Sequence, residues 1–151
     1  MINKQMILIN EPVNGREEAI NLLADQAVEL GKISEKEPFV QAVNEREKMN
    51  STAFEFNIAI PHGKSGVVNE PFISYLSVKQ PINWDDDGNN EVKYMFLIGV
   101  PEEGGSQIHL KYISEVSKKL LDEDFRRELF NSETVEQAYD LLSSINKNIK
   151  K

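Results

Sequence analysis

Residues 92–100, VKYMFLIGV, are apolar at almost every position, with Lys93 the only charge. A strand with one face in water alternates apolar and polar residues, so a run of this kind needs cover on both faces. Helices on either side of the run can supply that cover. Ile20, Leu23, Ala27 and Leu30 recur at helical spacing, opened by Asn14 as an N-cap with Glu17 three residues on and stopped at Gly31. Ser34 with Glu37 marks a second start, after which Phe39, Val43 and Arg46 follow one face. Downstream, a helix opened by Ser106 aligns His109, Ile113, Val116 and Leu120. DEDFRRELF makes a shorter helix, and Val135, Ala138, Leu142 and Ile145 a last one, with the tail NKNIKK expected to fray. Shorter strands are predicted at 6–9, at 57–60 up to Pro61, and at 72–78. The resulting order, β-α-α-β-β-β-α-α-α, predicts an α/β fold: a three-layer α/β/α sandwich around a mixed sheet, with residues 1–151 as one domain.

Charge and composition narrow the functional classes. With 25 acidic against 17 basic side chains the chain repels nucleic acid and anionic lipid alike. No run reaches the roughly 18 apolar residues of a membrane span and the N-terminus has no signal-peptide core, so a cytoplasmic location without membrane insertion is expected. The absence of cysteine excludes disulfides, thiolate metal sites and sulfur nucleophiles.

The chemistry-bearing residues cluster near the two histidines. IAIPHGKS, residues 58–65, places His62 directly after a β-branched segment and Pro61. A neutral imidazole is the side chain best suited to act as nucleophile or base near pH 7. Gly63 would let the main chain approach a bulky anion, while Lys64 and Ser65 add a cation and a hydroxyl donor. No nucleotide-phosphate loop accompanies them, which points to a phosphoryl group without a bound nucleotide and calls for no cofactor. His109 falls in GGSQIHLKYIS, on an apolar stripe and in the expected first turn of its helix, where backbone N–H groups favour an anion. Each residue also has an ordinary explanation: a loop histidine bonded to the backbone, a half-buried core histidine, and an Arg46 paired with Glu45 or Glu47 on the surface. Spacing alone does not bring the three together.

The segments REKMNSTAFEFNIAIPHGKS and HLKYISEVSKKLLDEDFRRELF together resemble the enzyme IIA component of the bacterial phosphoenolpyruvate-dependent sugar phosphotransferase system, fructose/mannitol type. The resemblance covers nearly the whole chain, and PINW and VPEE are more similar to the fructose branch. It implies that His62 accepts a phosphoryl group from the phosphocarrier HPr and passes it to a cysteine of enzyme IIB. It implies further that Arg46 holds the phosphoryl oxygens, that His109 donates a hydrogen bond, and that Glu47 orients Arg46 or a ring nitrogen. Lacking cysteine and a membrane span, the chain is expected to be a free-standing IIA subunit, with IIB on a separate chain and membrane association only through the IIB/IIC permease. A regulatory relative, whose His62 phosphorylation state controls binding to another protein, needs the same histidine. WDDDGNNE, residues 84–91, lacks the ligand spacing of a calcium loop and is expected to be a solvated connection, and no histidine pattern supports a metal site.

Overall fold

The computed structural model describes residues 2–149, apart from the side chain of Ser106. Its centre is the apolar run, strand β6 (Glu91–Pro101). On one side β6 pairs antiparallel with β5 (Phe72–Asn83), which in turn pairs parallel with β1 (Ile7–Glu11). On its other side two short strands pair parallel to β6 one after the other: β3 (Ile58–Ala59) and β4 (His62–Ser65). A two-residue strand β2 (Ala53–Phe54) closes the sheet antiparallel to β3.

Alternation along β6 explains its composition. Met95 and Leu97 pack with Ile20, Leu23, Phe39 and Val43 of α1 (Arg16–Glu29) and α2 (Lys36–Met49). Phe96, Ile98 and Val100 face Val116, Leu129 and Leu142 of α3 (Gly105–Leu120), α4 (Glu123–Phe130) and α5 (Val135–Ile149). Two helical layers therefore cover a mixed sheet, as the apolar run requires. Each fully buried Leu, Ile or Phe contributes roughly 1.5–3 kcal/mol of transfer free energy to that packing.

Among the described residues five strands, rather than the three expected, lie between α2 and α3, and element boundaries also depart from the sequence expectation. Pro61 interrupts a strand rather than ending one: it has no N–H to donate, but its carbonyl accepts from Ile98 N–H at 3.0 Å and pairing resumes at His62. β5 runs past 78 to Asn83, with Pro81 inside a register shift between Ser77 and Ile82 that relieves the ladder of its missing donor. Neither expected N-cap forms. α1 starts from Gly15 and α2 from Glu35, without side-chain caps. Ser34 instead gives its N–H and hydroxyl to the Val67 carbonyl, next to a bridge between Ile33 and Val68, so tertiary pairing outcompetes capping. Gly31 does stop α1, at φ +73°. The segment after 145 is not frayed through Ile149, because Asn146 clamps both backbone groups of Ile2, at 2.9 and 2.7 Å; the last two residues of NKNIKK lie outside the described residues. WDDDGNNE turns at Gly88, but Trp84 is buried rather than solvated.

Candidate functional site

β4 pairs with β6 on one side only, and α2 from one layer and α3 from the other converge on its open edge. His62 is 6% exposed there. Its Nδ1 lies 2.9 Å from the Ile60 carbonyl oxygen. A carbonyl only accepts, so Nδ1 carries the proton and Nε2 keeps its lone pair. Burial lowers the pKa of His62 below 6.5; the Ile60 bond opposes this in part, and Arg46 adds to the lowering. His109 stands at right angles to it, ring centroids 4.6 Å apart. Its pKa is lowered too, by burial first and then by His62, Lys64 and Arg46. Two neutral imidazoles thus sit beside two fixed cations, a combination that attracts an anion without spending charge on the ring nitrogens.

Arg46 comes from the last turn of α2, where its Nη1 donates to the Asn50 carbonyl at 2.7 Å. It borders a depression of about 270 Å³ shared with His62, Gly63, Lys64 and His109. The site therefore brings together Arg46, His62 and His109, which chain spacing left apart. His109 is the fifth residue of α3 rather than in its first turn, because the helix begins at Gly105 with Gly104 at φ +68° as N-cap. Its own N–H lies within the helical ladder, and the side chain rather than the helix end faces the depression. The expected cap Ser106 has its side chain outside the described residues.

Ser65 and Glu47 stand elsewhere than the sequence implied, and Gly63, although it borders the depression, has a packing role as well. A Cβ on Gly63 would come within 2.9 Å of Val43 Cγ2, so the missing side chain admits α2 against β4. Ser65 turns its hydroxyl to the Val67 N–H at 3.3 Å, on the opposite face of the strand from His62. Glu47, not Arg46, continues the buried stripe of Phe39 and Val43, and is 7% exposed. Its carboxylate accepts from Thr52 N–H at 3.0 Å, from the Thr52 hydroxyl, and from Trp84 Nε1–H at 3.2 Å, so both oxygens are engaged away from Arg46 and the histidines. The i, i+4 spacing 39, 43, 47 carried that signal. Arg46 itself lies at the stripe's edge, half-buried.

Sequence reasoning missed the apolar rim. A second depression, about 380 Å³, shares Arg46 and His62 and is lined by Phe54, Phe56, Ile113 and Leu121. Phe54 and Phe56 are more than two-fifths exposed and Leu121 four-fifths. Phe56 and Asn57 both adopt positive φ, a costly conformation outside glycine, and the Arg126 guanidinium lies 3.7 Å over the Phe56 ring. Exposure of apolar side chains is a tertiary property, and composition does not reveal it. Among the described residues no group of three or more His, Cys, Asp or Glu is placed to hold a metal ion, and no helix is long and apolar enough to cross a membrane.

Comparison with known proteins identifies the family and the fold. The family model described as "Phosphoenolpyruvate-dependent sugar phosphotransferase system, EIIA 2" matches residues 1–145. A fructose-specific EIIA component of that system from Haloferax volcanii is 32% identical over 93% of this chain and 91% of its own. A nitrogen regulatory protein from Bradyrhizobium diazoefficiens is 29% identical over 95% and 92%. Among solved structures, the complex of enzyme IIA for mannitol with phosphorylated enzyme IIB from Escherichia coli superposes with a TM-score of 0.79 at 22% identity, over 95% of this chain and 98% of that one.

Proposed function

The chain belongs to the EIIA 2 family of the phosphoenolpyruvate-dependent sugar phosphotransferase system, and on that premise we propose that it carries phosphoryl groups on Nε2 of His62, from HPr to a cysteine of enzyme IIB. The observation that carries the reading is the bond from Nδ1 to the Ile60 carbonyl, which leaves Nε2 as the free nucleophile on a ring kept neutral by burial. The Nε2 lone pair attacks phosphorus. The bond from phosphorus to the HPr imidazole nitrogen breaks, and its electron pair stays on that nitrogen. In the second transfer an IIB thiolate attacks, and the electron pair of the P–N bond returns to Nε2. The Nδ1 proton need not move in either step.

Arg46 spends one N–H on Asn50, and the remaining donors of its fork suit the equatorial oxygens of the transferring group. His109, neutral and beside His62, donates a hydrogen bond to the same group. Gly63 and Lys64 border the space it would occupy, and Lys64 adds charge there. The apolar rim of Phe54, Phe56 and Leu121 suits the docking of a protein donor and acceptor better than that of a small substrate. Similarity to a fructose-specific relative favours fructose transport. The regulatory alternative rests on similarity to a nitrogen regulatory protein and uses the same phosphohistidine without rapid discharge to IIB.

Incubation with enzyme I, HPr and labelled phosphoenolpyruvate tests the proposal. One acid-labile phosphate is expected on the wild type and none on His62→Ala; labelling of that variant, or an acid-stable phosphate, refutes it. Transfer to a purified fructose IIB separates the transport reading from the regulatory one.

A further inference from the structure

We propose that Glu47 is the positioning residue of this site, acting through the backbone to set both the Arg46 guanidinium and the tautomer of His62. The inference rests on the phosphocarrier reading for its consequence in rate, though not for its structural content. One chain of hydrogen bonds and one short stretch of backbone lead from the same buried carboxylate. Glu47 grips Thr52 twice, through its N–H and its hydroxyl. The carbonyl of Thr52 accepts the Ile60 N–H at 3.2 Å, and the carbonyl of that same Ile60 accepts from His62 Nδ1. Two residues before Thr52, the carbonyl of Asn50 holds Arg46. Fixing Thr52 therefore fixes the peptide on which the His62 ring is aimed and the carbonyl against which Arg46 rests.

The other end of the latch is equally well anchored. Trp84, just beyond β5, is 1% exposed and gives Glu47 its indole N–H; its own backbone is held by Asn90 and by Arg16 Nη1 at 2.8 Å. Three donors thus converge on Glu47, and a carboxylate, which only accepts, satisfies all of them. None of the ion pairs among the described residues falls on it. Its place is explained by those donors and by what they hold, since a buried carboxylate is costly unless hydrogen-bonded.

The test uses the full chain with Glu47→Leu and Glu47→Gln. Nitrogen NMR of the imidazoles reads the His62 tautomer in the unphosphorylated protein, single-turnover phosphorylation by phospho-HPr reads the rate, and thermal unfolding checks the fold. Glu47→Leu is expected to mix the His62 tautomers, releasing the Nε2–H form that an unconstrained histidine side chain favours, and to slow phosphorylation by about ten- to a hundredfold through misplacement alone. Glu47→Gln should restore both, because its amide oxygen can take the two N–H groups while its NH₂ donates to the Thr52 hydroxyl. A folded Glu47→Leu with wild-type tautomer and rate overturns the proposal. So does a Glu47→Gln as slow as Glu47→Leu with the tautomer intact, which would make the charge the active property. If Glu47→Leu fails to fold, Glu47→Asp, one methylene too short to hold Thr52 and Trp84 together, replaces it under the same criteria. A tautomer that shifts in a protein HPr never phosphorylates would sink the phosphocarrier reading and leave the latch standing; normal phosphorylation with an insensitive tautomer would do the reverse.

Discussion

Gly63→Ala offers the sharpest test of how the site is assembled. A Cβ at this position falls 2.9 Å from Val43 Cγ2 and 3.3 Å from both Val43 N and Phe39 Cε1. Ordinary carbon contacts lie near 3.5–4.0 Å, so the methyl overlaps Val43 by about 0.6 to 1.1 Å. Val43 cannot swing aside, because a β-branched residue in a helix keeps essentially one rotamer. The backbone nitrogen cannot move without its helix. α2 must therefore lift from β4, and overpacking of this kind costs about 1–3 kcal/mol. In a domain of this size that lowers Tm by roughly 2–4 °C for each kcal/mol. Arg46 lies one turn beyond Val43 and rises with the helix, so phosphorylation by phospho-HPr should fall by about ten- to a hundredfold.

Thermal unfolding and single-turnover transfer measure the two effects together, and Val43→Ala supplies the control. The double variant should be more stable than the sum of the single losses by about 0.5–3 kcal/mol, and should regain part of the rate, because the colliding methyl is gone. If Gly63→Ala slows transfer without losing stability, and Val43→Ala brings no rescue, the glycine serves the close approach of an anion and the packing argument is wrong.

Arg46→Ala should change stability by no more than about 0.5 kcal/mol yet slow transfer by about a hundredfold or more, with Arg46→Lys recovering only part because a point charge lacks the planar fork; wild-type rates in both would return Arg46 to surface decoration. His109→Ala should still be phosphorylated on His62 but pass the group more slowly to IIB, and His109→Gln should regain part of that rate; normal transfer with early unfolding would identify a core histidine instead. The acceptance rate should hold steady as pH falls through 6.5 and decline only at the lowered pKa of His62, as followed in a pH series of single-turnover reactions. The same shift sets a sign for stability: between 6.5 and the lowered value the unfolded chain binds the proton and the native state does not. The contributions of His62 and His109 are therefore present above pH 6.5 and lost as pH falls through the folded values, which replacing both histidines by Gln should abolish in unfolding curves.

The sequence alone determined the layers and the cast. VKYMFLIGV demands cover on both faces, and helical periodicity on either side shows what supplies it; both are local properties of residue type and spacing. The segments around Arg46, His62 and His109 were likewise legible as chemistry, by residue type and by resemblance to a family. Only the tertiary structure decided how these parts meet. Parallel pairing sets His62 opposite Ile98, thirty-six positions away, and that pairing exposes one edge to which α2 and α3 each bring a side chain. Asn14 does not cap α1 and Ser34 bonds to Val67 instead of capping α2, while Gly63, which borders the depression, also makes room for a helix. Glu47 shows the limit most plainly, since its spacing places it on the buried stripe but nothing local says that Thr52 and Trp84 will aim their donors at it. Periodicity states which face a residue occupies; which atoms face it there depends on segments distant in sequence, joined by the packing of the whole domain.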